Sequence, residues 1–250
     1  MSVLEGLFPE VGAGGFTRME PRIQFYSRVR ALLEPDHHVL EFGAGRGKFH
    51  YLENDPIKRI TDISRIPARY ALFDVDPVVL ENPTSEDRHV AAVGESLPFE
   101  DGSFDIVVAW MVLEHITAPD FYARELGRVL KPGGWLCAVT PNKWGYFSVG
   151  ARLIPERLHG TFLRWLVPHK KAEDGFETVY KLNTLAALER HFPAPDFSHH
   201  SYYYDPGPGY FGRSMTLARI IRAYNYLVPP FLLPHLFVFV QRRNLDRGSR

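Results

Sequence analysis

The stretch VLEFGAGRG, Val39 to Gly47, sets glycines at positions 43, 45 and 47 directly behind an apolar run. Glycine costs roughly 0.5–1 kcal/mol inside a helix or a strand, so three at alternate positions end whatever element precedes them. The chain has to bend there. A bend between a strand and a helix opens a βαβ unit and gathers backbone N–H groups at the carboxyl edge of a sheet, where open α/β sheets take their ligands. Two readings of the glycines stand at this point: a backbone dihedral that other residues resist, or a ligand brought close to the main chain.

The residues around the bend repeat its rhythm. Pro21 to Leu33 carries apolar residues at helical spacing and predicts a helix ahead of the first strand, Val39 to Phe42. A brief helix is expected from near Gly47, interrupted at Pro56. Tyr70 to Phe73 reads as a second strand, His89 to Val93 as a third, and Phe104 to Trp110 (FDIVVAW) as a strand buried on both faces. A helix from Asp120 to Leu130 is expected to break at Gly133–Gly134 before a strand from Trp135 to Thr140. Strands alternating with helices predict an α/β fold with a parallel sheet. Beyond Pro141 the rhythm fails, and residues 142–180 are rich in aromatic, basic and proline residues, with helical character from Val149 to Leu153. A helix from Leu182 to His191, a strand from Phe197 to Tyr204, a helix from Ser214 to Leu227 and a strand from His235 to Arg242 complete the reading.

Composition narrows the function. Lys+Arg and Asp+Glu both number 29 in 250 residues, so no overall field draws the chain to nucleic acid or to an anionic surface, and no nucleic-acid partner is expected. Cys137 is the sole cysteine, which excludes a disulfide framework and a cysteine-based metal cluster. No metal site is expected; His199, His200 and Asp205 are the nearest approach to one. The amino-terminal residues show neither a basic start nor an apolar core of signal-peptide length, and a cytoplasmic location is expected. The apolar run Leu227 to Val240 is shorter than the roughly 20 residues of a spanning helix. Three prolines and His235 interrupt it. We expect no membrane span, with peripheral contact left open.

The loop lacks the phosphate-binding patterns. Phe49 follows Gly47–Lys48 where a phosphate loop needs Ser or Thr, and the glycines run G-x-G-x-G rather than G-x-G-x-x-G. An acidic residue, Glu41, precedes them. That charge is awkward beside a pyrophosphate and serviceable beside a cation. Asp74 ends the second strand, where a carboxylate either accepts from a ribose diol or caps the next helix; Asp76, ahead of Pro77, suits the cap better. His115 falls just past the fourth strand as a general base or as a packed turn residue. Asn142, after the fifth strand, either orients a substrate or fixes the departure of the next loop. Within the insertion, His159, His169 and Tyr180 supply polar handles, and Arg152, Arg157 and Arg164 either meet a phosphate or cover helix faces.

Four separated motifs then occur in order: VLEFGAGRG, ALFDVDP, ESLPFEDGSFDIVV with VLEHI, and RVLKPGGWLCAVTPN. Together they resemble the class I S-adenosylmethionine-dependent methyltransferases, and TPNKWGY with its long following insertion resembles uncharacterised bacterial members. The resemblance implies a Rossmann-like α/β fold: a mostly parallel seven-stranded sheet, an antiparallel last strand, and helices on both faces. It implies one methyltransferase domain over 1–250, divided into an N-terminal helical region (1–38), a cofactor-binding core (39–142), a substrate-cap insertion (143–181) and C-terminal helices and strands (182–250). S-adenosyl-L-methionine is the implied cofactor, with Glu41, Gly43, Gly45 and Gly47 around its methionine part and Asp74 on its ribose hydroxyls. Family members often carry an aspartate for the adenine amino group where this chain has Val93, so Glu95, Ser96 and the backbone are expected to serve there. His115 and Asn142 are the expected catalytic residues. The expected function is methyl transfer, O-methylation foremost, to a small-molecule, glycan or lipid-linked acceptor. The alternatives are a non-catalytic cofactor-binding scaffold and, behind it, an NAD-dependent oxidoreductase.

Overall fold

The computed structural model describes residues 3–47, 56–153, 177–208 and 214–244. Eight strands form one sheet: β1 (His38–Phe42), β2 (Arg69–Asp74), β3 (Arg88–Val90), β4 (Phe104–Trp110), β5 (Leu130–Pro141), β6 (Phe197–His199), β7 (Tyr202–Tyr204) and β8 (His235–Arg242). Their order is β3-β2-β1-β4-β5-β8-β6, with β7 also on β8. The first five are parallel neighbours, and β8 enters antiparallel between β5 and the β6/β7 edge. Sheet order reverses beside β1, so the bends after β1 and β4 flank a crevice at the carboxyl edge.

The alternation of strand residues builds two apolar layers. Leu40, Phe42, Phe73, Val107 and Leu136 face α4 (Pro119–Val129) and α6 (Leu185–His191), which add Tyr122, Leu126 and Leu188. Val39, Leu72, Ile106, Val108 and Cys137 face α2 (Pro21–Leu32), which adds Phe25, Tyr26 and Val29. Phe25 meets the Trp110 and Phe237 rings edge-on, and Tyr26 stacks on Trp110. A smaller cluster joins Leu7 of α1 (Val3–Leu7) and Phe8 to Ala218 of α7 (Met215–Leu227). The sequence reading has no counterpart for α1. Two further helices among the described residues are α3 (Pro56–Thr61) and α5 (Tyr146–Leu153).

Several expectations are refined. The strand expected over Phe197 to Tyr204 is two, β6 and β7, yet both pair with β8 in one unbroken register. At the interruption the Ser201 hydroxyl accepts the Phe239 N–H at 3.0 Å in place of a ladder bond, while His200 N–H donates to the Phe239 carbonyl at 2.8 Å. An eight-strand sheet and the expected seven-strand one thus differ by a single side-chain substitution for backbone. The helix α4 does not run to the glycine pair; it stops at Val129 and β5 begins at once. Gly133 takes a φ of +85° inside that strand, and a side chain at Gly134 would stand 2.9 Å from the carbonyls of Asp105 and Lys131. The pair lets strands approach; it does not end the helix. Pro56 is the first described residue after Gly47 and already lies in α3. The helix expected from Gly47 falls on 48–55, outside the described residues, as do 154–176, which take in most of the expected cap with His159, His169, Arg157 and Arg164.

Candidate active site

The bend after β1 hangs on β2: Gly43 and Ala44 N–H groups both donate to the Phe73 carbonyl, at 2.8 and 3.0 Å. Gly43, Gly45 and Gly47 all lie in the left-handed region, at φ +78°, +49° and +70°. Their surroundings differ. A Cβ on Gly43 would collide with the Val112 side chain, and one on Gly47 with the Asn82 amide. At Gly45 the nearest atom would be Asp74 Oδ2, 3.9 Å away, with nothing else of the described residues within 4 Å. Two of the glycines are therefore architectural, and the middle one leaves the backbone open.

Asp74 is buried at the end of β2, its carboxylate turned to the bend. Oδ2 accepts the Gly45 N–H at 2.8 Å and Oδ1 the Asp76 N–H at 3.0 Å. A carboxylate has roughly four lone-pair sites, so acceptor capacity remains for a further donor. Asp76 accepts the Val78 N–H at 3.0 Å with Pro77 behind it, the expected cap, here of a single 3-10 turn. Asn82 escaped the sequence reading. Fully buried, it donates to the carbonyls of Ala44 and Gly45, both at 3.1 Å, and accepts from Thr84 N–H at 2.9 Å, bracing the bend from beneath. Its one sequence signal is the Asn82–Pro83 turn dipeptide.

Glu41 lies on the same strand face as Asp74. It lines a cavity of about 200 Å³ with Tyr26, Gly47, Asp62, Arg65 and Tyr70. Burial pushes its carboxyl up to about 7, against the Tyr70 hydroxyl that donates to it at 2.9 Å; Asp62 and Asp74 add repulsion. A cation placed there would relieve both costs.

Past β3, Val93 stands 63% exposed. Gly94 N–H donates to the Tyr122 hydroxyl at 3.2 Å, and the Glu95 carboxylate closes a turn on the Ala92 N–H at 3.0 Å. Ser96 is exposed beside them. The expected adenine-binding group thus forms an open turn on the sheet's carboxyl edge.

Past β4 the chain makes a left-handed step at Met111, φ +55°, and then a single turn, Leu113–His115. The half-buried His115 ring places Nδ1 2.9 Å from the Glu177 carbonyl. A carbonyl only accepts, so Nδ1 carries the proton and Nε2 is left as the basic nitrogen. Glu114 is also missed by the sequence reading. It is buried, with Oε1 3.9 Å from His115 Nε2 and Oε2 accepting from the Thr140 hydroxyl at 2.9 Å. Asn183 donates to that hydroxyl at 2.6 Å, and the Glu114 carbonyl accepts from Val179 and Tyr180 N–H. These bonds tie the returning segment after the insertion to β4 and β5.

Asn142 makes the contacts of the loop-fixing reading. It is fully buried, donates to the Phe231 and Leu233 carbonyls at 2.8 and 2.7 Å, and accepts from Trp144 N–H at 3.2 Å. Its amide is spent on fixing the loop before β8. Arg152 likewise donates to the Lys143 carbonyl and lies over the Trp144 and Tyr180 rings.

A family model described as a methyltransferase domain matches residues 40–138, the stretch from β1 into β5 that builds this crevice. Over those residues the chain is similar to the methyltransferase domain family. Over 109 residues it is 47% identical to an uncharacterized methyltransferase of Mycobacterium sp. (strain JLS), covering 42% of this chain and 39% of that protein. Over 137 residues it is 31% identical to the ubiquinone biosynthesis O-methyltransferase of Xanthomonas oryzae pv. oryzae (strain PXO99A), covering 48% and 53%. The chain thus matches about half or less of the length of these relatives. The crystal structure of geranyl diphosphate C-methyltransferase from Streptomyces coelicolor A3(2) superposes with a TM-score of 0.52 at 15% identity, over 88% of this chain and 75% of that one, which speaks to the fold. The open backbone at Gly45, the Asp74 carboxylate and the acidic Glu41 suit a nucleoside bearing a positive charge.

Proposed function

We propose that the chain transfers a methyl group from S-adenosylmethionine to a hydroxyl of a small-molecule, glycan or lipid-linked acceptor. The observation that carries this reading is the open Cβ position of Gly45 facing the Asp74 carboxylate. A nucleoside can lie against that backbone with its ribose hydroxyls donating to Asp74, while Glu41 lies toward the cationic amino-acid tail. The turn from Val93 to Ser96 offers backbone groups to the adenine. When bound, S-adenosylmethionine supplies a methyl group already activated on sulfur, so alignment and exclusion of water are the protein's main tasks. His115 Nε2, its tautomer set by the Glu177 carbonyl, takes the proton of the acceptor hydroxyl. Glu114, braced by Thr140, holds the turn that carries it.

General-base help is worth roughly 10²–10⁴ in rate, so His115→Ala should cut turnover by that order at unchanged cofactor affinity. The measurement is S-adenosylhomocysteine release across a panel of hydroxylated aromatics, sugars and lipid-carried sugars. Normal turnover by the variant on an accepted substrate removes the base assignment. Val93, in place of the expected carboxylate, favours a second reading as a cofactor-binding scaffold; tight cofactor binding with no turnover on any acceptor would support it.

A further inference from the structure

The outward face of a surface helix is ordinarily its polar one. In α7 both faces carry apolar residues. The helix presents Ala218 and Asn225 inward, with Asn225 donating to Asp205 at 2.7 Å. Outward go Ile220, Tyr224, Tyr226 and Leu227, and Tyr226 and Leu227 are 87% and 77% exposed. Arg219 is the charged residue on this face. The next turn, Pro230–Leu232, adds Phe231, itself half exposed.

This apolar ridge lies at the same carboxyl edge of the sheet as the crevice. His235, first residue of β8, pairs with Pro141 at the carboxyl end of β5, and Asn142 anchors the Phe231 and Leu233 carbonyls. Trp144, half exposed, lies alongside under Lys143 and Arg152, whose charges stand 5.7 and 5.5 Å from its ring. The Tyr146 and Tyr224 rings join α5 to α7, edge to face at 5.8 Å. From Pro206 to Leu245 the sequence holds no Asp or Glu. Of its described arginines Arg219 is on this face, while Arg222 turns to the Leu7 carbonyl and the Phe8 ring and Arg242 lies at the far end of β8 on the Gly127 and Leu130 carbonyls. Asp205, the carboxylate just before that stretch, lies behind the helix on Asn225.

We infer that the outward face of α7 and the Pro230–Leu232 turn dock the chain on an anionic lipid surface. Tyrosine, tryptophan, phenylalanine and leucine framed by Arg and Lys is the chemistry of an interfacial segment, with the apolar side chains at the headgroup boundary and the cations on anionic headgroups. A second copy of the chain fits less well. A two-fold contact would set the face against itself and bring Arg219 and the cations around Trp144 together. Docked this way, the carboxyl edge of the sheet faces the lipid, and an acceptor carried on a lipid reaches the crevice without crossing water.

The test is flotation of the full chain with phosphatidylcholine vesicles, with and without phosphatidylglycerol, at low and high salt. Partition onto the anionic vesicles should exceed that onto phosphatidylcholine by about tenfold or more and fall as salt rises. Tyr226→Ser with Leu227→Ser should lower it about tenfold at an unchanged thermal unfolding midpoint, since both side chains are exposed. Arg219→Glu, a change that touches no packing, should weaken it separately. Absence of wild-type binding to either vesicle overturns the inference. So does a dimer in size-exclusion chromatography with light scattering that the double serine variant converts to monomer, which assigns the face to a second copy.

Discussion

At the residue scale, three glycines of one loop divide into two kinds, and they should fail differently. Gly43→Ala and Gly47→Ala drive a methyl group into Val112 and the Asn82 amide, on top of roughly 1–2 kcal/mol for a left-handed non-glycine residue. Both should lower the urea midpoint. Gly45→Ala meets open space and carries the dihedral cost alone, so it should be the most stable of the three and the one most impaired in cofactor affinity for its stability. Equal loss of stability at all three positions would contradict the division. Glu41 gives a pH signature. Its carboxyl titrates near 7 in the folded chain, against 4.5 as the ordinary value, so the folded state holds the extra proton between those limits. Stability therefore falls as pH rises through that window, by about 3 kcal/mol in all, and Glu41→Gln should flatten the profile. If a cationic ligand lies beside Glu41, its affinity should rise about tenfold from pH 6 to 8 in the wild type and stay level in Glu41→Gln, as calorimetry would show.

At the element scale, the sheet order was legible because each strand carries its own signature. Phe104 to Trp110 and His235 to Arg242 are continuous apolar runs with β-branched and aromatic residues, and both strands match their expected limits. The places that read wrongly are those where a long-range contact decides. No local pattern shows that Ser201 replaces a backbone group, or that Gly134 is needed for the close approach of the Asp105 carbonyl. Asn142 belongs with them. From the sequence it was a polar residue at a strand end; its partners, Phe231 and Leu233, lie far along the chain. Asn142→Ala should cost about 1–3 kcal/mol by orphaning buried carbonyls, seen as a lower urea midpoint at constant m-value. An unchanged midpoint would return the residue to a substrate-facing role.

At the scale of the whole molecule, the bend after β1 was readable and the polar network behind His115 was not. Gly45 and Asp74 sit where strand ends must place them, so motif and topology point to the same edge. Asn82, Glu114, Thr140 and Asn183 were missed because they come from separate elements and meet only in the folded chain. The apolar ridge on α7 was hidden for a related reason: Ser214 to Leu227 has helical periodicity, but periodicity does not say which face meets the protein. The central claim is that the bend after β1 holds a positively charged nucleoside without phosphates, gripped at its sugar by Asp74. Titration calorimetry of wild type and Asp74→Ala with S-adenosylmethionine and with NAD tests it most directly. Wild type should bind the former and not the latter, and the variant should lose about 1–3 kcal/mol of binding, the penalty for an unpaired buried polar group. NAD bound more tightly than S-adenosylmethionine, or an affinity for the latter unmoved by Asp74→Ala, would contradict it.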